Sequence, residues 1–242
     1  MSSRKPGQTL RENQRWLNRQ TLRITLAAAP VALLLIVVFL RELVNTLMGN
    51  HSPIRAIVGL LLLMGLMGVV YLIQFLDRRE RIFHIGARGE ERVGEALETL
   101  RQHGWHIFHD IALPTVGNID HVAVGTKGVF IVETKNHTGT IVLENGRLAR
   151  VGRPLEKDFV AQAMRQAAAL GHLIHQRTGL RVFVQPVVCF VRARLLLQSP
   201  RVQQAVVLSY AELLNYLHRH PDGRLTSTQV SAIASVLAQL NR

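Results

Sequence analysis

The sequence of 242 residues has little cysteine, few aromatic residues and fewer acidic than basic side chains. Its single cysteine, Cys189, excludes an intramolecular disulfide framework and a zinc site built from several cysteines. Aromatic residues make up 5% of the chain, which argues mildly against a stacking platform for single-stranded nucleic acid. The sequence also lacks a Walker motif, a glycine-rich dinucleotide fingerprint and a nucleophile elbow. ATP-driven or cofactor-dependent chemistry therefore has no support.

Charge and hydropathy are distributed unevenly along the chain. Basic residues outnumber acidic ones by 29 to 16, although 48% of the residues are hydrophobic. The apolar residues are concentrated in two runs near the N terminus, which excludes a disordered chain and a wholly soluble one. Residues 77–242 contain 21 basic and 14 acidic side chains. This excess is compatible with a polyanionic partner or with a position close to a membrane.

The two apolar runs predict a transmembrane hairpin over residues 24–76. Residues 24–40 form an uncharged run of 17, near the short limit for a membrane-spanning helix, and residues 56–76 form a run of 21. A short polar loop, residues 41–55, joins them. The first run begins late and has no small-residue cleavage site, which argues against a cleaved signal peptide. Two buried core helices are the alternative.

Basic residues flank this hairpin asymmetrically, with six before it, three just after it and two in its loop. The positive-inside tendency predicts a multi-pass protein of the inner or plasma membrane with both termini in the cytoplasm. Residues 1–23 then form a basic cytoplasmic segment, and residues 77–242 form a cytoplasmic domain. Within the first segment four arginines recur at helical spacing, which suits a helix lying on anionic membrane lipid, although a solvated tail is the alternative: Arg11, Arg15, Arg19 and Arg23.

Residues 77–242 predict a mixed α/β domain with C-terminal helices. Asn145-Gly146 indicates a two-residue hairpin, and capping boxes start the two closing helices. The predicted elements are a helix over 86–102, strands over 105–113, 119–124 and 129–134, a strand pair within 141–151, a helix over 159–177, strands over 181–191 and 206–208, and helices after Ser209 and Thr226.

The predicted hairpin loop at residues 125–128 brings charged residues together. Pairing outwards from this loop sets Asp120 opposite Glu133 with Cβ atoms about 5 Å apart. Period-two alternation places Lys135 on the same face as Glu133. Two carboxylates so placed repel each other unless a cation lies between them, and oxygen ligands suit Mg²⁺ or Mn²⁺.

Two helical residues are candidates for the same patch. Glu90 lies on the stripe with Val93 and Leu97 that turns toward the core, whereas Glu98 belongs to a face that we expect to be solvated. Gln162 lies one turn after the start of the long helix, and its amide could reach the carboxylates. For each candidate, a surface or capping role is the ordinary alternative.

Several other residues are expected to be structural. Cys189 lies in an apolar strand and is expected in the core. His121 points to the face opposite Asp120, where we expect a structural hydrogen bond rather than catalysis. Three histidines at three-residue spacing straddle a helix end and a strand, so they do not predict a shared metal site: His103, His106 and His109.

Four segments within about residues 85–191 carry a family pattern: Gly86-Ala87-Arg88-Gly89-Glu90, Asn118-Ile119-Asp120-His121, Gly128-Val129-Phe130-Ile131-Val132-Glu133-Thr134-Lys135-Asn136, and Gln162. They resemble the successive motifs of the nuclease-related domain, NERD, a family of the PD-(D/E)xK restriction-endonuclease-like superfamily. That family often has Asn-Pro shortly before the glutamine, whereas this chain reads Asp158-Phe159-Val160-Ala161-Gln162.

The resemblance implies a restriction-endonuclease-like mixed sheet flanked by helices, here preceded by the two transmembrane helices. It also implies that Asp120 and Glu133 bind Mg²⁺ or Mn²⁺. Lys135 would orient the attacking water or stabilise the pentavalent phosphate. Glu90 would assist at the metal, and Gln162 would position the substrate or the site.

Two functions are therefore open. The first is a membrane-anchored, divalent-metal-dependent nuclease that hydrolyses phosphodiester bonds of nucleic acid, DNA rather than RNA. The second is a catalytically inactive NERD-like module that binds nucleic acid or a protein partner at the membrane. The acidic and basic groups that hydrolysis needs are all present, which favours the first, but a fold alone does not fix a function.

Overall fold

A computed structural model describes residues 6, 8–49, 53–221 and 224–240. The chain divides into two compact units. One unit is Leu10–His84, and the other comprises Met1–Thr9 with Ile85–Arg242. The first unit contains the apolar helices, and the second contains the sheets.

The two apolar runs lie in long helices, α1 (Gln8–Leu47) and α2 (Pro53–Glu98). The segments Asn18–Asn45 of α1 and Ile57–Phe75 of α2 are long and apolar enough to cross a membrane. None of either hydrophobic window is buried inside the protein. Apolar side chains along both helices are therefore exposed or half-buried, and none of those in the two windows lies in a described protein core.

The polar loop predicted at residues 41–55 is too long. Helix α1 continues through Leu47, and α2 already begins at Pro53. Residues 41–47 contain no glycine or proline that would end a helix, whereas Gly49 has a φ of 83°. The fixed φ of proline suits the first helical position, which explains the start of α2. Asn50, His51 and Ser52 of the predicted loop lie outside the described residues.

The second unit is a mixed α/β domain, as predicted. A 3₁₀ turn, Thr99–His103, follows α2. The remaining helices are α3 (Phe159–Thr178), α4 (Tyr210–Arg219) and α5 (Ser227–Leu240). The strands are β1 (His106–Leu113), β2 (Gly117–Gly125), β3 (Gly128–Lys135), β4 (Thr140–Glu144), β5 (Arg147–Arg150), β6 (Arg153–Pro154), β7 (Val184–Phe190), β8 (Arg194–Leu196), β9 (Arg201–Val202) and β10 (Ala205–Ser209).

The main sheet has the strand order β1-β2-β3-β7-β10-β9. Strands β1, β2 and β3 are antiparallel, whereas β3-β7 and β7-β10 are parallel pairs. One face of this sheet packs an apolar core with α3 and α5. The other face packs a second core with the end of α2 and with α4. The predicted mixed sheet flanked by helices is thus confirmed.

A second, smaller sheet has the order β6-β5-β4-β8. Its β4-β5 hairpin turns at Asn145 and Gly146, which have φ values of 51° and 75°. Positive φ at both central residues is the reason for the Asn-Gly preference, so the predicted hairpin is confirmed. The pairing of β4 with the three-residue strand β8 was not predicted, because so short a strand carries no periodic pattern.

Strand β1 does not keep the regular alternation that its sequence predicts. Ile107 packs in the core on the α2 side, but Ile111 and Leu113 pack in the core on the α3 side. The reversal occurs at Asp110, whose φ of 55° turns the chain. Pairing with β2 has the same register before and after this residue, while Asp110 itself is unpaired. The left-handed conformation at one residue thus moves the rest of the strand to the other core.

Candidate active site

The predicted register of the β2-β3 hairpin is confirmed. Val122 lies opposite Ile131, and Val124 lies opposite Val129. Beyond the last paired residues, the backbone N–H of Thr134 donates a 2.7 Å hydrogen bond to Oδ2 of Asp120. The Asp120 carboxylate therefore lies beside the end of β3 that carries Glu133.

Glu133 is the most enclosed charged side chain of this patch, with 2% of its surface exposed. Its Oε1 accepts hydrogen bonds from Lys135 Nζ at 2.5 Å and from Gln162 Nε2 at 2.7 Å. Its Oε2 is buried and has no hydrogen-bond partner among the described residues. Burying a carboxylate oxygen without a hydrogen-bond partner costs free energy of folding, so this oxygen is a candidate ligand-binding atom.

The start of α3 contributes two residues to the same patch. Phe159 lies under the Lys135 ammonium, with 4.4 Å between Nζ and the ring centroid. Gln162 reaches Glu133 from one turn further along. The helix begins without the family's Asn-Pro, because Oδ1 of Asp158 accepts a hydrogen bond from the backbone N–H of Ala161 and caps it. Asp158 thus starts the helix at a position that lets Gln162 reach the carboxylate.

Glu90 lies within electrostatic range of these groups. Burial, together with the negative charges of Asp110 and Glu133, raises the pKa of Glu90 to about 8 against the opposing effect of Lys135. Burial also raises the pKa of Asp120 well above its ordinary value, together with the charges of Glu133 and Glu90. The structure therefore brings all five predicted residues together, with three carboxyl groups and one ammonium among them.

A further carboxylate, Asp110, was not predicted from the sequence. It is 3% exposed, and its Oδ1 accepts a 2.6 Å hydrogen bond from Nδ2 of Asn118. Gln166 of α3 in turn donates from Nε2 to the backbone oxygen of Asn118. The negative charge of Asp110 contributes to the raised pKa of Glu90. The sequence predicts regular alternation along β1, which does not place Asp110 at this site. Its position depends on the positive φ that is found only in the structure.

The opposite face of the same strands carries a histidine cluster: Glu98, His109 and His121. The two histidines contact each other through their Nδ1 atoms at 2.8 Å, and Nε2 of His109 lies 2.8 Å from Oε1 of Glu98. Burial lowers the pKa of both histidines. The structural hydrogen bond expected for His121 is thus confirmed. Glu98 is 39% exposed at its side chain, as expected for its face, and also contacts His109.

Cys189 is fully buried in the core on the α2 side, as predicted. Burial raises the pKa of its thiol to about 12, so the thiol stays protonated. His103 makes an edge contact with the ring of His218 and takes no part in the histidine cluster. The expectation that the three spaced histidines do not share a site agrees with these positions.

The residues present fit a divalent cation with few protein ligands. In the part of the chain that the structure describes, no group of three His, Cys, Asp or Glu side chains is arranged to hold a metal. Magnesium, however, is commonly bound through one or two carboxylates, with water and substrate phosphate completing its coordination. The carboxylates of Asp120 and Glu133, with Glu133 Oε2 lacking a partner, offer such a donor set.

The fold and the carboxylate–lysine patch together define a nuclease-like α/β domain. Residues 85–191 match the family model described as the nuclease-related domain, NERD. The chain is also 35% identical over 60 residues to an uncharacterized protein of Bacillus anthracis, a match that covers 23% of this chain and 28% of that protein. No solved structure matches the chain.

Proposed function

We propose that this chain is a membrane-anchored nuclease that hydrolyses phosphodiester bonds of nucleic acid, DNA rather than RNA, with Mg²⁺ or Mn²⁺. The observation that carries the proposal is the state of Glu133. One of its oxygens is held by Lys135 and Gln162, while the other is buried without a partner beside Asp120. A carboxylate with one oxygen still free of a partner can bind a divalent cation.

Asp120 and Glu133 are the residues that would hold the cation. A bound divalent cation supplies Lewis acidity toward the attacking water and positive charge for the phosphate. Gln162 keeps the Glu133 carboxylate in place through its hydrogen bond to Oε1. Because that bond uses Oε1, the second oxygen of Glu133 is left for the ligand.

Lys135 provides a fixed positive charge at the site. Its ammonium lies between Glu133 Oε1 and the ring of Phe159, and 16% of its side chain is exposed. A donor already held in place stabilises the charge that develops on a pentavalent phosphate without reorganising during the reaction. We assign this role to Lys135, and it requires no change in the protonation of the ammonium.

Glu90 is suited to proton transfer beside the cation site. A carboxyl group with a pKa of about 8 is mostly protonated near neutral pH, so it can give a proton during hydrolysis. In this role Glu90 assists at the metal without being one of its principal ligands.

The membrane placement belongs to the same proposal. Residues 24–76 would form the transmembrane hairpin, residues 1–23 a basic segment at the cytoplasmic face of the inner or plasma membrane, and residues 77–242 the cytoplasmic nuclease domain. All four arginines of the basic segment that recur at helical spacing are exposed on α1, which supports contact with anionic lipid headgroups.

The test is a cleavage assay with the full chain in detergent, given plasmid DNA, single-stranded DNA and RNA. We expect cleavage in Mg²⁺ or Mn²⁺ that EDTA stops and that Lys135→Ala reduces at least 100-fold. Lys127→Ala is the matched control, because it removes a lysine from the other end of the same hairpin. Binding without cleavage of any substrate in either metal would instead favour the catalytically inactive module.

A further inference from the structure

Arg192 lies at the edge of the carboxylate patch. It follows β7 directly, where Phe190 is paired with Lys135 and the backbone N–H of Val191 donates a 2.9 Å hydrogen bond to the oxygen of Lys135. The guanidinium of Arg192 is therefore carried by the strand next to the one that bears Glu133 and Lys135. The side chain is exposed.

Asn136 holds this guanidinium with two acceptors. Arg192 donates from Nε to Oδ1 of Asn136 at 2.9 Å and from Nη2 to its backbone oxygen at 3.2 Å. Two contacts to one residue fix both the position and the plane of the guanidinium. Much of the conformational entropy that an arginine loses on binding a ligand is therefore already lost in the free protein.

Asn136 is in turn anchored on the helix that bears Glu90. Its Nδ2 donates to the backbone oxygen of Ile85. The side chain also packs against Gly89, where an added Cβ would lie only 2.8 Å from Cβ of Asn136. Asn136 therefore connects three segments: the start of the domain part of α2, the end of β3 and the residue after β7.

The charge of Arg192 is not neutralised within the described chain. None of the described carboxylates lies within ion-pair distance of it, and both of its acceptors are the uncharged oxygens of Asn136. A guanidinium has five N–H donors, of which Asn136 uses two. The remaining donors match the geometry of a phosphate group.

A nucleic acid that binds at the carboxylate patch needs a positive charge beside it. The Glu133 carboxylate repels phosphate, and Lys135 is already engaged with it. A fixed positive charge beside them offsets this repulsion and orients the backbone that enters the patch.

We propose that Arg192, held by Asn136, binds a backbone phosphate of the nucleic acid next to the carboxylate patch. This inference rests on the proposed function, because it takes nucleic acid as the ligand. Asn136 acts as a positioning residue, since it sets the guanidinium and does not itself meet the phosphate. The site adds recognition of the backbone without preference for base sequence.

The test compares Arg192→Ala with Arg194→Ala in the full chain in detergent. Arg194 is also exposed, lies two residues away on β8 and donates its backbone N–H to the oxygen of Gly139, so its removal controls for the loss of one positive charge. Fluorescence anisotropy of a labelled 20-base-pair DNA duplex gives Kd at several salt concentrations. The measurement is made in EDTA, so that cleavage does not intervene, and is repeated in Mg²⁺.

We expect Arg192→Ala to weaken binding about fivefold or more relative to Arg194→Ala and to reduce the salt dependence by about one counterion. Arg192→Lys keeps the charge but loses the planar contact with Asn136, so an intermediate Kd is expected. If Arg192→Ala fails to fold, Arg192→Lys and Arg192→Gln take its place in the same comparison.

Equal Kd values and equal salt slopes for the Arg192 and Arg194 variants would overturn the inference and leave the proposed nuclease function standing. Absence of measurable DNA binding by the unmodified chain in both buffers would overturn it as well. Failure of the proposed function is seen separately, as a chain that binds DNA with the expected Arg192 dependence but cleaves no substrate in Mg²⁺ or Mn²⁺.

Discussion

The two faces of the β2 strand place neighbouring residues in opposite electrostatic environments. His121 lies on the α2 side, in contact with His109, which in turn contacts Glu98. Asp120 lies on the other side, beside Glu133 and close to Glu90. Both clusters are built from titratable groups on the same strands. Only the carboxylate side gathers several carboxyl groups around a single ammonium.

The histidine face shows how a protein core accommodates polar groups. Burial lowers the pKa of His109 and His121, so both rings are neutral near pH 7, and they are linked to each other and to Glu98. On the carboxylate face burial instead raises the pKa of Asp120 and Glu90, and the charges of neighbouring carboxylates raise both further. A cluster that opposes folding unless something binds to it is a candidate for function.

The largest effect expected from this contrast is on the free energy of unfolding. His109→Ala removes the ring between Glu98 and His121 and leaves a cavity and a buried imidazole without its partner, at a cost of about 2–4 kcal/mol. Gln162→Ala, on the carboxylate face, removes one hydrogen bond to Glu133 and should cost about 1 kcal/mol. Denaturant titration of the full chain in detergent measures both values.

In a cleavage assay the order of the two variants should be reversed, with Gln162→Ala the more impaired. Gln162→Ala should lower activity at least tenfold because Glu133 is no longer held, whereas folded His109→Ala should keep most of it. The contrast between the two faces is wrong if His109→Ala is as stable as Gln162→Ala, or if it is the less active of the two.

The two faces should also respond to pH in opposite directions. With pKa values lowered from 6.5, the histidines bind fewer protons in the folded state, so stability falls as pH drops below about 6.5. With a folded pKa of about 8 against an ordinary 4.5, Glu90 keeps its proton longer in the folded state, so stability falls as pH rises from about 5 to 8.

The variant Glu90→Gln tests the predicted loss of stability as pH rises. In EDTA the variant should differ little from the unmodified chain at pH 5 and be more stable by roughly 1–3 kcal/mol at pH 8–9, since the amide carries no charge to bury. Unfolding curves at each pH give the difference. A stability gain that is the same at pH 5 and pH 9 would contradict the assignment of a raised pKa to Glu90.

Much of the candidate site could be predicted because local patterns of strand and helix geometry determine where its residues lie. The predicted loop at residues 125–128 is shorter in the structure, since Gly125 pairs with Gly128 and only Thr126 and Lys127 remain between the strands, but the register is the same and sets Asp120 beside Glu133. Alternation then places Lys135, and helical spacing places Glu90 and Gln162. The helix caps at Ser209 and Thr226 were likewise predicted from a local pattern and are confirmed.

The residues that were not predicted depend on contacts distant in sequence or on backbone conformation. Asp110 enters the patch because of a left-handed φ that aspartate seldom adopts. Arg192 contacts Asn136 across 56 residues of sequence, and no periodic pattern links them. The pairing of β4 with β8 is of the same kind, since only the folded chain brings these short strands together.

The measurement that tests the central claim most directly is the binding of Mn²⁺ to the full chain, followed by the electron paramagnetic resonance signal of the free ion. The account predicts a site that is lost in Asp120→Asn and in Glu133→Gln and retained in Lys135→Ala, because the lysine is not a ligand. The metal-free Asp120→Asn chain should be at least as stable as the unmodified one, since a repelling charge is removed. Mn²⁺ binding that is unchanged in both carboxylate variants would contradict the claim.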